Sequence, residues 1–297
     1  MQPRVTPLNF QFTSPTSATP SRPRGRPGRA ATAAVVLAVS LPMVLLLRHV
    51  WNEWTILMRE EQAVAASAVI GYPNISPAIS RAAPPRPYCR IEGDALLIWS
   101  GWKAGEGHGW FKLTSADCDT AMLSQPIGRD VARAIDYPDA EVAGGPIWDR
   151  IPGVADVAGL ALGATTCAYP KVVLAKVLVV NDEIEGVPYL VHHDPFAAVG
   201  GRPDVAVYDP RIDGRRITLG SSGFTIGRKH VLYDRGTESL WVDQDAGMVA
   251  FGGKLKGRTL PLVKRVPTTS WRSWQEDHPS SRLLVGSLDR ARGLPAE

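Results

Sequence analysis

The sequence lacks the residue patterns that identify the familiar catalytic and metal centres. Three cysteines occur in 297 residues, and none is paired as CxxC or spaced with histidine as in a zinc site. The chain also contains no Gly-x-Ser-x-Gly nucleophile elbow, no phosphate-binding Walker sequence and no dinucleotide-binding glycine fingerprint. No enzyme class that is identified by these motifs is therefore indicated.

Acidic residues are missing from residues 1–29, which carry five arginines and many Pro, Ser and Thr residues. The whole chain has a net charge of +4, so removing these five positive charges leaves −1 for residues 30–297. A nearly neutral folded part argues against nucleic acid as a partner, because such binding needs positive charge that neutralises phosphates. Residues 1–29 cannot bury a core, and we predict a disordered, basic cytoplasmic tail.

Charged residues are also absent from residues 30–47, which are apolar on all sides. Eighteen helical residues span about 27 Å, which is enough to cross a bilayer core. Because the arginines precede this run, the positive-inside rule predicts a cytoplasmic N-terminus and a periplasmic or extracellular C-terminal domain. A cleaved signal peptide is the competing interpretation, but no small-x-small cleavage site follows directly. We therefore predict a single-pass anchor whose partner is the lipid bilayer.

The composition changes three times after this run. Residues 48–70 read as a juxtamembrane helix, and residues 71–88 contain five prolines, as in a semi-rigid linker. Residues 89–290 alternate short apolar runs with turn residues, and residues 291–297 form a short tail. Because glycine and proline are both frequent, the fold class predicted for the exported domain is mostly β, of the β-rich α+β type.

Several elements are predicted within this domain. Val179–Ile184 and Val187–His193 form a hairpin around a Glu-Gly turn. Val205–Tyr208 and the run 216–219 form a second hairpin around an Asp-Gly turn. The run 268–278 reads as a capped helix.

The densest polar stretch is the run 231–241, which lies between apolar, strand-like neighbours. Unpaired buried polar groups are costly, so these side chains must hydrogen-bond to one another. We predict a structural network in which Asp234 and Glu238 accept hydrogen bonds from backbone N–H groups or from Arg235. The alternative is a general acid/base site, with Arg235 lowering the pKa of one carboxylate and burial raising that of the other. The residues assigned a structural role are Tyr233, Asp234, Arg235, Glu238 and Trp241.

The most metal-like cluster is His192-His193-Asp194. Adjacent residues of a strand point to opposite faces, so His193 would need metal-binding partners from elsewhere, such as His230 or Asp234. The competing interpretation is one solvated histidine and one hydrogen-bonded core histidine. His193 and His230 are therefore only weak candidates for metal ligands.

A nucleophilic serine is a further candidate. Ser221 lies in a Ser-Ser-Gly segment near Lys229 and His230, which could supply a base. The competing interpretation is an ordinary Ser/Gly-rich turn.

Five motifs follow one another in an order that makes a chance match improbable. The motifs are Cys167-Ala-Tyr-Pro170, Val180-Asn-Asp-x-Ile-x-Gly-Val-Pro188, Asp213-Gly-Arg-x-x-Thr-x-Gly220, Tyr233-Asp-Arg-x-Thr-Glu-Ser-Leu-Trp241 and Val266-Pro-x-x-Ser-Trp-x-x-Trp-x-x-x-His-Pro279. They resemble a bacterial family catalogued as domain of unknown function 3179, over about residues 108–286. The resemblance implies no known activity.

One departure from the family affects the chemistry. Members often carry a Tyr-Cys-Pro-Leu-Cys-like segment where this chain has the run 193–197, so both cysteine positions are replaced, by Asp194 and Ala197. A redox or thiolate-metal role implied by such members does not carry over. Cys89 and Cys118 lie on the predicted exported side, where a disulfide is permitted, and Cys167 is expected to be a buried thiol.

Two functions from different classes remain open. The first is a non-enzymatic module that binds a ligand or partner at the cell envelope, supported by the lost cysteine pair and the missing catalytic motifs. The second is a metal-assisted hydrolase. Neither the ligand nor any cofactor is defined by the sequence. The candidate catalytic residues are His193, Asp194, His230, Asp234 and Glu238.

Overall fold

The computed structural model describes residues 43–51, 83–103, 105–114, 116, 118–197 and 201–287. Residues 43–51 form a helix, α1, in a compact unit that spans Met1–Thr55. The strands all belong to the other unit, Ile56–Glu297. Within the described ranges, no helix is both long and apolar enough to cross a bilayer.

Several predicted segments fall outside these ranges. The tail at 1–29, most of the apolar run at 30–47 and residues 52–82 are among them, as are residues 288–297. The anchor, the juxtamembrane helix and most of the linker therefore stay predictions. The mostly β character of the domain is confirmed.

The domain contains nineteen described strands, two α-helices and a short 3-10 helix at Thr120–Met122. The helices are α2 (Lys171–Val177) and α3 (Trp271–Asp277). The strands are β1 (Cys89–Glu92), β2 (Ala95–Lys103), β3 (Gly107–Leu113), β4 (Ile135–Asp136), β5 (Pro138–Glu141), β6 (Asp156–Leu162), β7 (Thr165–Pro170), β8 (Val179–Ile184), β9 (Val187–His193), β10 (Val205–Tyr208), β11 (Arg211–Ile212), β12 (Arg215–Arg216), β13 (Leu219–Ile226), β14 (Lys229–Asp234), β15 (Leu240–Gln244), β16 (Gly247–Gly252), β17 (Thr259–Val266), β18 (Thr268–Ser270) and β19 (Arg282–Ser287).

The central element is a nine-stranded sheet that curls on itself, in the order β13-β14-β15-β16-β17-β10-β9-β8-β4. The side-chain amide of Asn181 joins β8 to β13. Its Nδ2 donates to the Leu219 carbonyl over 2.9 Å, and its Oδ1 accepts the Leu219 N–H over 3.0 Å. One side chain thus supplies, between these two strands, the pair of bonds that a backbone ladder supplies elsewhere.

Strand alternation divides the buried side chains between the two faces of this sheet. Along β14, Leu232 belongs to the cluster inside the curl, whereas Val231 and Tyr233 pack outside it. The outer face is covered in two places. The three-stranded sheet β1-β2-β3 covers one, and the five-stranded sheet β18-β6-β7-β19-β5 with α2 and α3 covers the other. Because both faces of the curled sheet are buried, the sequences of its strands are nearly continuous apolar runs.

Of the two hairpins and the helix predicted from local patterns, one hairpin is confirmed, one is wrong, and the helix is shorter than predicted. The hairpin Val179–Ile184 with Val187–His193 is confirmed with the predicted bounds. The second predicted hairpin is wrong in its partners, because the Asp-Gly turn joins only the short strands β11 and β12. β10 pairs with β9 and β17 instead, which are longer-range ladders that a local turn rule cannot indicate. The predicted helix at 268–278 begins later, at Trp271, because Ser270 is its N-cap.

Replacing Asn181 by leucine should destabilise the domain. The substitution keeps a side chain of similar size but leaves the buried N–H and C=O of Leu219 without partners, at about 1–3 kcal/mol each. We expect the Tm to fall by roughly 4 °C or more in thermal unfolding of the purified protein. Glu183→Leu, at an exposed position of the same strand, is the matched control and should change the Tm little. Equal Tm values for Asn181→Leu and the parent protein would show that the amide does not hold the two strands together.

Candidate functional site

A serine and two histidines form a hydrogen-bonded chain inside the curled sheet. The Oγ of Ser221 on β13 lies 3.0 Å from Nε2 of His230 on β14. The Nδ1 of His230 lies 3.0 Å from Nε2 of His192 on β9. All three residues are buried, and the two imidazole rings are stacked. We refer to Ser221, His230 and His192 as the relay.

Both histidines of the relay are neutral at pH 7. Burial lowers the pKa of His192 to about 3, with Asp243 acting in the opposite direction and His193 and Arg265 in the same direction. Burial also lowers the pKa of His230 to about 3, helped by His192 and His193 and opposed by Asp194. Each neutral imidazole has one donor and one acceptor nitrogen. When the Ser221 hydroxyl donates to Nε2 of His230, the Nδ1–H of His230 can therefore donate to Nε2 of His192.

A buried carboxylate acts on the far end of the relay. Asp243 accepts a 2.7 Å hydrogen bond from the Tyr208 hydroxyl and two 3.0 Å bonds from the Arg265 guanidinium. Burial and the nearby Asp243 raise the pKa of Tyr208, so this phenol stays protonated and remains a donor. The negative charge of Asp243 favours the protonated form of His192. The relay therefore ends near a fixed anion.

The relay opens onto a cleft of about 500 Å³. Ser221 and His230 are among its buried lining residues, and most of the accessible lining is apolar. Two large apolar side chains line the same cleft while facing solvent: Ile127 is 56% exposed and Phe196 41% exposed. A depression of about 580 Å³ on the β1-β2-β3 sheet is lined mainly by charged and polar residues, and none of the relay residues lies in it.

One wall of the cleft is the segment 123–130. This segment runs along the edge of β13 that faces away from β14. The backbone N–H of Ile127 donates to the Gly223 carbonyl, and that of Asp130 donates to the Ser221 carbonyl, both over 2.9 Å. Gly223 has φ +82°, and a Cβ there would lie 2.0 Å from the Gly128 carbonyl oxygen. Only glycine permits this approach. The β13–β14 register shifts between Ser221 and Thr225, so the strand is irregular directly after the serine.

His193 takes part in a separate cluster. Its Nε2 lies 3.2 Å from Asp204, which also forms an ion pair with Lys171. Burial raises the pKa of Asp204, but hydrogen bonds from His193 and Lys171 outweigh it, so that pKa is lowered overall. Among the described residues, Nδ1 of His193 and Oδ2 of Asp194 find no hydrogen-bond partner although both atoms are buried. The Asp194 carboxylate occupies the first lost cysteine position and lies close enough to raise the pKa of His230.

Asp234 lies at the centre of the turn between β14 and β15. It is completely buried and accepts hydrogen bonds from the N–H groups of Thr237 and Ser239, at 2.6 and 3.1 Å. The Thr237 hydroxyl donates to it over 2.8 Å and the Trp241 indole over 3.3 Å. These four hydrogen bonds all come from residues of the run 231–241 itself. The contacts match the predicted network, whose structural role stays a prediction.

The other charged residues of this run have partners outside it. Arg235 forms an ion pair with Asp136. The sequence had left open whether Asp234 and Glu238 accept hydrogen bonds from backbone N–H groups or from Arg235, and Asp234 accepts them from backbone N–H groups. Glu238 pairs with Arg129 over 2.6 Å and remains 43% exposed. The Tyr233 hydroxyl donates to Asp130. Burial and Asp130 together raise the pKa of Tyr233. These contacts attach the run to the segment around residues 129–136.

The sequence candidates are thus divided among different places. His230 lies in the relay, His193 and Asp194 lie beside it, and Asp234 and Glu238 belong to the β14–β15 turn. Among the described residues, no group of three or more His, Cys, Asp or Glu side chains is placed to hold a metal ion. Sequence reasoning did not assign His192 to the Ser221–His230 pair, and it missed Asn181, Lys171 and Asp204. The one sequence signal for the relay was the proximity of Ser221 to His230.

Removing Asp234 should destabilise the protein far more than removing Glu238. Asp234→Ala leaves four neutral donors without their acceptor, at about 1–3 kcal/mol for each one that stays unpaired, and we expect a loss of about 3 kcal/mol or more. Glu238→Ala breaks a half-exposed ion pair and should cost about 1 kcal/mol or less. Urea unfolding of the two variants measures the difference. Asp213→Ala, which removes an exposed carboxylate of another turn, is the control. If Asp234→Ala unfolds like the parent, the turn does not depend on this carboxylate.

Family comparison agrees with the resemblance seen in the motifs. The family described as "Protein of unknown function (DUF3179)" matches residues 135–294, which is more than half of the chain. That range contains the whole relay, the Asp234 turn and all the strands of the curled sheet. No curated protein and no solved structure is significantly similar to this chain. The chain therefore belongs to the DUF3179 family, whose molecular function is unknown.

Proposed function

We propose that the domain binds a small, largely apolar molecule in the cleft and that Ser221 and His230 contact its polar group. The observation that supports this most directly is the composition of the cleft. Its lining combines two buried hydrogen-bonding residues, Ser221 and His230, with two large apolar side chains that are about half exposed to solvent, Ile127 and Phe196. Concave sites with an apolar lining and a few convergent polar groups are typical ligand sites.

The exposed apolar side chains favour an apolar ligand. Exposure of Ile127 and Phe196 forgoes the free energy that burial would provide, about 25 cal/mol for each Å² of apolar surface. A ligand seated between them would cover both side chains. Clustered exposed apolar residues around a cavity are a common mark of a binding surface.

The charge of the lining restricts the ligand further. None of the described residues that line the cleft is acidic. The relay histidine that faces the cleft is neutral because burial lowers its pKa to about 3. A neutral molecule or an organic anion therefore suits the site better than a cation. The metal-assisted hydrolase has no comparable support, since the described residues gather no candidate ligand set.

The dye 8-anilinonaphthalene-1-sulfonate, an apolar anion, tests the binding site. Its fluorescence should rise on saturable binding to the purified protein. Phe196→Ser and Ile127→Ser should each weaken the affinity about 5- to 10-fold, because each removes roughly 1 kcal/mol of apolar contact. Ile91→Ser, which changes a 78% exposed apolar side chain on β1, is the control. Unchanged affinity in both cleft variants would rule out this binding site.

We also propose that the protein is anchored in the membrane by residues 30–47, with the domain outside the cytoplasm. The support comes from the sequence: five arginines precede an uncharged run of eighteen residues, and no small-x-small cleavage site follows it directly. The binding cleft would then face the periplasm or the extracellular space. A ligand reaching it would not need to enter the cytoplasm.

Reporter fusions test this topology. Alkaline phosphatase fused after Glu297 should be active, because the enzyme folds only outside the cytoplasm. The same reporter fused after Arg29 should be inactive and serves as the control. The full-length product should remain in the membrane fraction, whereas a cleaved signal peptide would release a shorter, soluble product. An inactive phosphatase after Glu297 would overturn the proposed orientation.

A further inference from the structure

We infer that Ser221 is an acyl-accepting nucleophile with His230 as its base, and that the cleft admits neutral carboxylic esters with a short apolar acyl chain. This inference rests on the proposed binding cleft and assigns it a reaction. The serine and its histidine lie on the wall of the cleft, so both are placed to touch a bound ester.

The geometry is that of an activated nucleophile. A serine within hydrogen-bonding distance of a base, with the base oriented by a third group, is the general signature of such sites. Here the two distances are both 3.0 Å, from Oγ to Nε2 of His230 and from Nδ1 of His230 to Nε2 of His192. His192 is a positioning residue, because it orients His230 and does not line the cleft.

The surroundings of the relay both permit and oppose proton transfer. Burial lowers the pKa of His230 to about 3, so its Nε2 is unprotonated at neutral pH and can accept the serine proton, although the same low pKa makes it a weak base. Once protonated, His230 would be favoured by the charge of Asp194, whereas His192 and His193 oppose its positive charge. Asp243 favours positive charge on His192 in the same way. Arg265 and His193 lower the pKa of His192 and therefore oppose positive charge on that ring.

The reaction balances without any external oxidant or reductant. Ser221 Oγ attacks the ester carbonyl carbon while its proton passes to Nε2 of His230. The tetrahedral intermediate then expels the alcohol, which takes that proton, and leaves an acyl ester on Ser221. Water attacks this ester with His230 again as base, releasing the carboxylic acid and restoring the hydroxyl. The net reaction consumes one ester and one water and yields one acid and one alcohol.

The cleft sets the substrate class. Its apolar lining suits an acyl chain, and its volume of about 500 Å³ limits the size of the molecule. The half-exposed Ile127 and Phe196 would cover the outer part of the chain. The absence of acidic side chains from its described lining gives a cationic ester no partner, whereas a neutral ester needs none.

A fluorophosphonate probe tests the nucleophile directly, since a reactive serine displaces fluoride and gains the phosphonyl mass. The full-length protein should be labelled once, and peptide mapping should place the label on Ser221. Ser221→Ala should abolish the labelling. Thr259→Val removes an exposed hydroxyl on β17, outside the cleft, and should be labelled like the parent. Mapping in the parent protein keeps the test valid even if a variant folds poorly.

Activity and the positioning role are measured in parallel. The parent should hydrolyse p-nitrophenyl butyrate at least about 100-fold faster than Ser221→Ala, the lower end expected for acid–base assistance. His192→Gln should slow labelling while leaving the affinity for 8-anilinonaphthalene-1-sulfonate unchanged, which a purely structural defect would not do. The parent should be labelled at similar rates at pH 5 and pH 7, because His230 is neutral at both.

The outcomes separate this inference from the binding proposal. Saturable dye binding without any labelling of the parent protein would show that Ser221 is not a nucleophile, and it would still support the binding cleft. If neither dye binding nor labelling of the parent is observed, both the binding cleft and the assignment of Ser221 as a nucleophile are wrong. Labelling mapped to another residue, or equal labelling of Ser221→Ala, would also refute the assignment.

Discussion

The two hydrogen bonds between the Asn181 side chain and the Leu219 backbone support the geometry on which the candidate site depends. In the order of the sheet, four strands lie between β9 and β14. In a flat sheet, five spacings of about 4.8 Å would put these strands roughly 24 Å apart. The curl instead brings His192 and His230 into hydrogen-bonding contact at 3.0 Å. A site made from both strands exists only because the ends of the sheet meet.

The interior of the curl combines an apolar core with polar groups that satisfy one another. Leu190, Leu232 and Trp241 belong to the apolar cluster. The relay is compatible with this interior because its members are neutral and share their donors and acceptors, so little charge is desolvated. Where a full charge is buried, at Asp243, the Arg265 guanidinium pairs with it through two bonds. The polar groups are therefore concentrated in a few satisfied clusters.

The Asp234 turn and the relay are linked through one strand. Asp234 and His230 are both on β14, four residues apart, and alternation directs their side chains to the same face. The bonds that Asp234 accepts fix the end of this strand against β15. The same end of β14 also pairs with β13, the strand of Ser221, where Leu219 lies opposite Asp234. The run 231–241 and the relay are therefore connected through β14, which contributes residues to both.

Local patterns alone predicted the mostly β class, the β8–β9 hairpin with its bounds, and a self-contained polar network around Asp234. Each depends on neighbours within a few residues, for which alternation, turn chemistry and the cost of buried polar groups are sufficient guides. The partners of Arg235 and Glu238 were not predicted, since Asp136 and Arg129 lie 99 and 109 residues away. The same holds for Asn181 with Leu219 and for His192 with His230, each separated by 38 residues. The sequence by itself determined the mostly β class, the β8–β9 hairpin, the family and the side of each strand that a residue faces. Only the tertiary structure decided which strands meet, because the curl of the sheet depends on long-range pairing that no local pattern encodes.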